Sequence, residues 1–571
     1  MTRRDSEHDG LPPPAEPSRR SILILAACFF LVAGIAVFAT EGDYGVASDV
    51  GNYFYSSMRQ LAWLGDFTRA VASGSPTDVL NRDVVSEHWR WMPVRLPHPP
   101  LSREIGGVTW LLFRDLFDTI TAYRIGVMFT YAALTAACAA FTATAAASLL
   151  AGAGAGLSIL TIPVLFAHGH FAHTDLFLAT FWFGAAALLF LWVETSRGSY
   201  LVLCGILLGA ALATKFSGLL AVPVLGLWIL LTRPRDTVWA VPVIGLFAAL
   251  VFFAANPVLW VDPMLGMSDY LGAGLNRVDD ARNMIKTEYF GRIYVYRAPW
   301  HYPFVWTLIV LPPTILLAIV AGLFDGKHRK LIGFCLLNVS VLYAALSLPT
   351  APTHDGVRLF LAAFPFYAVL AGLGAAVLAA WSTRLTDSID RHPSALWSAV
   401  VLLVLLFGPA AGAVVRTHPY QLSYVNLFVG GTAGAADRGL EVTNLKEVLN
   451  EEVLSDLRSA LPEDAVVDPG FLLEEFCFYQ TLDRAPRSWS IETVWAVPLP
   501  DEPGPALVCE GDPARAPTIV DRAALDADFL VMIHRRAMWR PIEWALTEQG
   551  DPPFYEVALD GAPLLTVYRI R

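Results

Sequence analysis

Eleven apolar stretches, most of them about 20 residues long and so able to span a bilayer as helices, leave this 571-residue chain little choice of fold. They run at Ser21–Thr40 and at about 122–149, 151–167, 174–194, 200–213, 217–232, 237–256, 304–323, 331–349, 359–381 and 395–415. Hydrophobic residues make up 55% of the chain and charged ones only 16%, too apolar a balance for a soluble protein of this size. The expected fold is an α-helical polytopic membrane protein of about 11 spans plus juxtamembrane helices, with a small α/β C-terminal soluble domain.

The ends of the chain are different in kind. Residues 1–20 are polar and proline-rich and read as a disordered cytoplasmic tail. Arg19 and Arg20 then hold the first span, which lacks the short core and small-residue cleavage site of a signal peptide. Residues 416–571 hold 25 Asp and Glu against 13 Lys and Arg, a net −12 where the whole chain carries −11. The acidity therefore belongs to a C-terminal domain, 416–571, and the membrane domain, 21–415, is near neutral. No basic surface suited to nucleic acid is present in the sequence.

One short segment decides the orientation. Residues 102–117 contain Arg103, Glu104 and Arg114. If they do not cross, the short loops with Arg197, with Arg233 and Arg235, with Lys327, Arg329 and Lys330, and with Arg384 and Arg391 all fall inside, as the positive-inside rule requires. If they cross, all four loops move out. The segment is therefore read as a juxtamembrane or re-entrant helix. The long loops 42–121 and 257–303 then lie outside, with Asp49, His98, the stretch 168–175, Lys215, residues 353–358 and the C-terminal domain.

Several of these outer residues can carry chemistry. Asp49 lies just past the first span, where partial desolvation can raise a carboxylate toward general-base strength. An ordinary solvated loop aspartate is the plain alternative, and Asp43 competes for the role. Lys215, between two tightly connected spans, meets an anion or snorkels. Arg358 opens a span and can grip phosphate through two N–H groups. His168-Gly169-His170-Phe171-Ala172-His173-Thr174-Asp175 is compatible with zinc, or simply polar; its spacing matches no standard site, so no metal ligand is assigned, although a divalent metal is not excluded. Asp175, a carboxylate at the membrane edge, is expected to be functional. In the loop 257–303, Tyr289, Trp300 and Tyr302 suit an interface and a lid over substrate, and His354 sits in THDGVR beside Arg358.

These motifs, taken in order, resemble the membrane glycosyltransferases of the C superfamily, in particular the bacterial protein O-mannosyltransferases and lipid A aminoarabinose transferases. Asp49 and Tyr53, one helical turn apart, fall where that family has its first-loop aspartate and a tyrosine. His98-Pro99-Pro100-Leu101 is similar to its Lys-Pro-Pro-Leu, with histidine for lysine; the glutamate that precedes the motif in the aminoarabinose transferases has no counterpart in Arg95-Leu96-Pro97. Thr214-Lys215, Arg358, the Pro299-Trp300-His301-Tyr302-Pro303 phrase and His418-Pro419-Tyr420 through Gly430-Gly431 resemble family phrases in the same order. The resemblance implies an inverting enzyme of the bacterial inner membrane. It would transfer a hexosyl or pentosyl group from a polyprenyl-phosphate donor to a lipid, glycan or protein acceptor on the periplasmic side. Asp49 would be its base, Asp175 would assist, and His98, Lys215, Arg358 and Tyr53 would hold the donor phosphate. His354, Tyr289, Trp300 and Tyr302 are further substrate-binding candidates.

The rival is a transporter or flippase for a lipid-linked sugar, which predicts internal repeats and mid-membrane charges. No repeat is evident, and the charges gather at one face. A scaffold that merely displays the C-terminal domain leaves that cluster unexplained. In the C-terminal domain a helix over Val442–Leu461, strands at AVVD and DFLVMIH, and a hairpin turning at Asp560-Gly561 are expected. Cys477 and Cys509 are the cysteine pair available for a disulfide there.

Overall fold

The computed structural model describes residues 17–90, 98–275, 285–295, 297–387, 395–493, 518–519 and 527–570. All eleven apolar stretches are helical, but they are not alike. Among the described residues, seven helices are long and apolar enough to cross a membrane alone. They are α1 (Arg19–Ala39), α5 (Thr119–Ala145), α8 (Thr174–Thr195), α11 (Thr237–Ala254), α16 (Arg329–Leu346), α17 (Phe364–Asp387) and α18 (Ala395–Arg416). Shorter apolar helices are α6 (Leu149–Thr161), which leads into α7 (Pro163–His168), then α9 (Gly198–Leu212) and α10 (Ala221–Thr232).

The stretch expected as one span at 304–323 is broken instead. Its halves, α14 (Tyr302–Val310) and α15 (Pro313–Leu323), meet at 114°. The cause is Pro312-Pro313, which removes two N–H donors and leaves the carbonyls of the preceding turn without helical partners. Asn426 replaces them. Its backbone N–H donates to Ile309 O at 2.7 Å, and its Nδ2 donates to Leu308 O at 2.7 Å and Leu311 O at 2.9 Å.

The first loop is helical too: α2 (Val50–Ser73), α3 (Arg82–Trp89) and α4 (Leu101–Phe113). At 13 residues α4 is only about 20 Å long and too short to cross. It buries Ser102, Arg103, Gly106 and Gly107 and exposes Val108, Leu111 and Leu112, the pattern of a juxtamembrane helix. Trp63 of α2 and Trp89 of α3 pack with Trp260 of α12 (Pro257–Val261), which is followed by α13 (Pro263–Leu275). At the centre of the bundle α17 packs against α15 and α6. Gly374 leaves no room for a Cβ against the Ala318 carbonyl, nor Gly372 against that of Ala151, so close backbone contact joins the three helices.

A short hairpin, β1 (Lys286–Tyr289) and β2 (Arg292–Val295), precedes α14. After α18 the chain forms α19 (Gly431–Asp437) and then an α/β unit. Its strands are β3 (Val466–Asp468), β4 (Ser490–Thr493), β5 (Thr518–Ile519), β6 (Phe529–Ile533), β7 (Tyr555–Leu559) and β8 (Ala562–Arg569), in the order β5-β4-β3-β6-β8-β7. The first four are parallel, and β8 pairs antiparallel with β6 and β7. Asp560 and Gly561 turn the last hairpin, both with positive φ (52° and 86°), as a type I′ turn requires. The helices are α20 (Glu451–Ala460), α21 (Leu473–Thr481) and α22 (Pro541–Gln549). The helix expected from Val442 begins only at Glu451. Residues 440–450 are instead an irregular, fully buried strap, capped at Asn450, whose side chain accepts from Val453 N–H at 3.0 Å. The Cys477–Cys509 pairing lies outside the described residues, because Cys509 does.

The loops at one end of the bundle carry Arg233 and Lys330. Arg233 donates to Val193 O and Ser196 Oγ, and Lys330 pairs with Glu194 at 2.5 Å. Asp175 stands at the other end of α8, about 29 Å away at 1.5 Å per residue.

Candidate active site

The nine residues from Glu41 to Asp49 form a strap that is fastened at nearly every step. Arg124, buried in α5, pairs with Glu41 Oε1 at 2.9 Å and donates to the carbonyls of Tyr44 (3.1 Å) and Gly45. Tyr44 stacks on His170 with ring centres 3.8 Å apart and donates to Gln421 Oε1 at 2.6 Å. Val46 N–H donates to Tyr479 Oη at 2.7 Å and Ser48 N–H to Leu445 O at 2.7 Å, so the C-terminal domain holds the strap from its far side. The Ser48 carbonyl accepts from His173 Nε2.

The strap ends on Asp49, which takes left-handed φ (69°) and precedes α2 without capping it through its side chain. Aspartate tolerates that conformation better than most residues. Its carboxylate turns to Arg358, whose Nη2 is 3.0 Å from Asp49 Oδ2. Nε of the same guanidinium lies 2.8 Å from Asp175 Oδ2, and Nη1 lies 3.3 Å from Asp355 Oδ2. Asp175 gives its other oxygen to Lys215 Nζ at 2.5 Å. The Asp175 carboxylate is 1% exposed, whereas Asp49 is 24% exposed and is the open edge of the cluster.

Each member is delivered by the end of an element. Asp175 lies in the first turn of α8, where the helix dipole favours an anion. Lys215 follows α9 and precedes a 3₁₀ turn, Phe216–Leu220; Arg358 opens another, Arg358–Ala363, that leads into α17. The Pro99-Pro100 phrase is tied to the lysine turn, since Leu101 N–H donates to Ala213 O at 3.0 Å. Asp355 has left-handed φ (56°), as has Gly356 (58°), and Gly356 N–H donates to Tyr302 Oη at 3.0 Å. Burial acts to raise the Asp355 pKa, but His354, Arg535 and Arg358 outweigh it and hold the carboxyl well below the usual carboxylate range.

Asp49, Asp175, Lys215 and Arg358 thus come together, with His354 one contact away, its Nδ1 2.9 Å from Asp355 Oδ2. Tyr53 N–H donates to Asp49 O at 2.8 Å, and the ring is buried between His98 and His173, with centres at 6.4 and 6.2 Å. Burial pushes the Tyr53 hydroxyl above its ordinary pKa, so it stays protonated. His98 lines a cleft with Trp89, Asn256, Asp269 and Tyr270, and its carbonyl accepts from Arg103 Nη2 at 2.8 Å. Tyr302 supports the Asp355 turn, Tyr289 packs on Tyr302 and hydrogen-bonds His301 Nδ1 at 2.8 Å, and Trp300 is 65% exposed. Asp43 lies outside the cluster, 2.8 Å from His418 Nε2.

The histidines of the 168–175 stretch diverge. His170 Nε2 is 2.9 Å from Thr40 Oγ1, His173 turns to Ser48, and His168 faces a small cavity beside Trp306 and Asn444. Among the described residues no group of His, Cys, Asp or Glu has the geometry to hold a metal ion.

Sequence reasoning passed over Glu41, Arg124, Asp355, Gln421, Asn426, Asn444 and Arg535. Asp355-Gly356 carried a turn signal that could have marked the first of the acids around Arg358. Arg535 carried none, because its partner is 180 residues away.

No family model and no curated protein matches the chain. Among solved structures it is similar to two crystal structures of ArnT from Cupriavidus metallidurans. The apo form is 15% identical over 95% of this chain and 97% of that one, with a TM-score of 0.49. The form bound to undecaprenyl phosphate is 16% identical over 96% and 98%, with a TM-score of 0.46.

Proposed function

We propose that this protein is a membrane glycosyltransferase that moves a sugar from a polyprenyl-phosphate donor to a hydroxyl acceptor. The observation that carries the reading is the meeting of Lys215 and Arg358 with Asp49 and Asp175 at one end of a helical bundle, from four segments far apart in the chain. Two cations held by carboxylates form a ready phosphate site, since a phosphate can take the place of a carboxylate on Arg358. The exchange is easiest at Asp49, the more exposed partner. Asp175, buried between both cations, keeps them aligned.

Once released, Asp49 can accept the proton of the acceptor hydroxyl. The acceptor oxygen forms a bond to the anomeric carbon, and the bond from that carbon to the phosphate oxygen breaks with its electron pair on the phosphate. Lys215 and Arg358 stabilise the charge that develops there. Attack opposite the leaving group inverts the anomeric centre, as the family resemblance implies. The cationic loops at the far end of the bundle favour the cytoplasm. The reaction is accordingly assigned to the outer, periplasmic face of a bacterial inner membrane, with residues 416–571 on that side.

The deciding experiment is sugar transfer from a polyprenyl-phosphate sugar by purified protein. Asp49→Asn is expected to lower transfer by about 10² to 10⁴, the usual contribution of a general base, and to keep the donor bound. Wild-type transfer in this variant overturns the assignment of Asp49, and no transfer by the unaltered protein with any polyprenyl-phosphate sugar overturns the reading.

A further inference from the structure

The C-terminal domain reaches the ion cluster through Arg535, two residues beyond β6 and 3% exposed. Its Nη2 donates to Asp355 Oδ1 at 2.6 Å, its Nη1 to Asn444 O at 2.8 Å, and its Nε lies 3.7 Å from Glu441 Oε2. The other oxygen of Asp355 meets His354 and Arg358. A single carboxylate therefore stands between an arginine of the C-terminal domain and the arginine at the centre of the membrane site.

Asp355 has little freedom to move away. Its turn has two consecutive left-handed residues, is held by Tyr302 through Gly356 N–H, and packs against Asn444. How strongly it attracts Arg358 is then set by how fully its other partners, His354 and Arg535, satisfy it. With Arg535 in place, the Arg358–Asp355 contact is the longest of the three that Arg358 makes with carboxylates. Without that cation, a buried carboxylate loses its shortest contact and keeps His354, and among the described residues the guanidinium left beside it is Arg358. The contact that yields is the one to Asp49, the most exposed of the three.

We propose that Arg535 is a positioning residue: by neutralising Asp355 it keeps the Arg358 guanidinium on Asp49 and Asp175, which makes the C-terminal domain a working part of the membrane site. Only the identity of the ligand that Arg358 takes rests on the glycosyltransferase reading.

The test is a double-mutant cycle on the full-length protein, with Arg535→Gln, Asp355→Asn and the pair together. Two quantities are read: affinity for a polyprenyl phosphate in detergent, and carbodiimide labelling of Asp49 followed by mass spectrometry. Arg535→Gln is expected to weaken polyprenyl-phosphate binding about tenfold or more, the scale of one charged hydrogen bond, and to raise Asp49 labelling severalfold. The pair is expected to bring both back to within about threefold of the parent, because the Asp355 charge that would draw Arg358 away is removed together with the cation that balanced it. A merely structural contact gives the opposite pattern, in which the pair is as impaired as the single variant or more so, and that result overturns the proposal. So does Arg535→Gln with both readouts unchanged. If Arg535→Gln does not accumulate as folded protein, Arg535→Lys is used with the same expectations at smaller amplitude. It keeps the charge but loses the two-pronged hold on Asp355 and the Asn444 carbonyl. If no variant, nor the parent, binds polyprenyl phosphate while Asp49 labelling follows the cycle, the donor assignment falls and the role of Arg535 stands.

Discussion

Asp49 and Arg358, 309 residues apart in the chain, face each other across 3.0 Å, and the aspartate is the more exposed of the two. A site built in this way keeps its cations neutralised until a ligand arrives. An unpaired cation in such dry surroundings is costly, and the carboxylate removes that cost. In the proposed mechanism the same contact withholds Asp49 from proton transfer until a phosphate displaces it.

Binding and chemistry should therefore separate by residue. Lys215→Ala and Arg358→Ala each remove a charged contact worth about 1.5 to 3 kcal/mol, so polyprenyl-phosphate affinity is expected to fall about tenfold to a hundredfold. Asp49→Asn removes the competitor for Arg358, so it is expected to bind the same lipid as tightly as the parent or more tightly. Titration of the three variants checks this, and weaker binding in Asp49→Asn than in Lys215→Ala contradicts the displacement mechanism.

Asn426 gives a second expectation, on stability. Its side chain donates to two carbonyls freed by the Pro312-Pro313 break and accepts from Phe428 N–H at 2.9 Å. Asn426→Ala leaves those groups without their partner in buried surroundings, at about 1 to 3 kcal/mol for each unsatisfied group. Asn426→Asp is expected to be worse, because a carboxylate donates nothing and faces carbonyl oxygens. Melting temperatures should fall in the order parent, Ala, Asp, while the Asp49–Arg358 site keeps its ligand affinity in whatever fraction remains folded.

The sequence made some of this legible and hid the rest for physical reasons. Hydropathy located all eleven apolar stretches that fold as helix, though not the break within 304–323, because lipid demands long apolar segments, and the charges at loop positions grouped Asp49, Asp175, Lys215 and Arg358 on one side. Local chemistry also gave the Asp560-Gly561 turn, where conformation is decided within two residues. The break between α14 and α15 was foreshadowed by Pro312-Pro313, but not its rescue, since Asn426 lies more than a hundred residues later. The buried strap 440–450 looked like the start of a helix because its apolar spacing suits one; the interface with residues 45–48 and Arg535 overrides that preference. Arg535 was invisible for the same reason, as its meaning lies wholly in a long-range partner.

Orientation yields a third expectation. With the site on the outer face, single cysteines placed at Arg235 and Lys327 are expected to react with membrane-impermeant maleimide only after the membrane is opened. Cysteines at Glu463 and Asp551, in the C-terminal domain, are expected to react in intact spheroplasts. Labelling of Lys327→Cys in intact spheroplasts reverses the topology and moves the site to the cytoplasm.

The buried histidines supply the last expectation, in pH. Desolvation, with Arg124 nearby, lowers the His170 pKa from its ordinary 6.5 to about 3, so the ring is neutral in the folded protein at neutral pH. In that state it meets Thr40 Oγ1 and stacks on Tyr44, which steadies the strap that ends at Asp49. A histidine whose pKa is depressed by folding contributes stability that is fully present above its unfolded pKa and is lost as pH falls toward the folded value. Here the window runs from about 6.5 downward, because in it the unfolded chain takes up a proton that the folded one refuses. Glu441 and Glu447, each raised to about 7 mainly by burial, shift the wild-type curve in the opposite sense over part of the same range. The informative quantity is therefore the difference between His170→Asn and the parent. The variant loses the stack and should be less stable at pH 7.5. As pH falls from 6.5 to 4.5 the deficit should shrink, since only the parent has a depressed imidazole to protonate. Thermal unfolding of both proteins across that range checks the sign, and a deficit that stays constant or widens on acidification contradicts a neutral, buried His170.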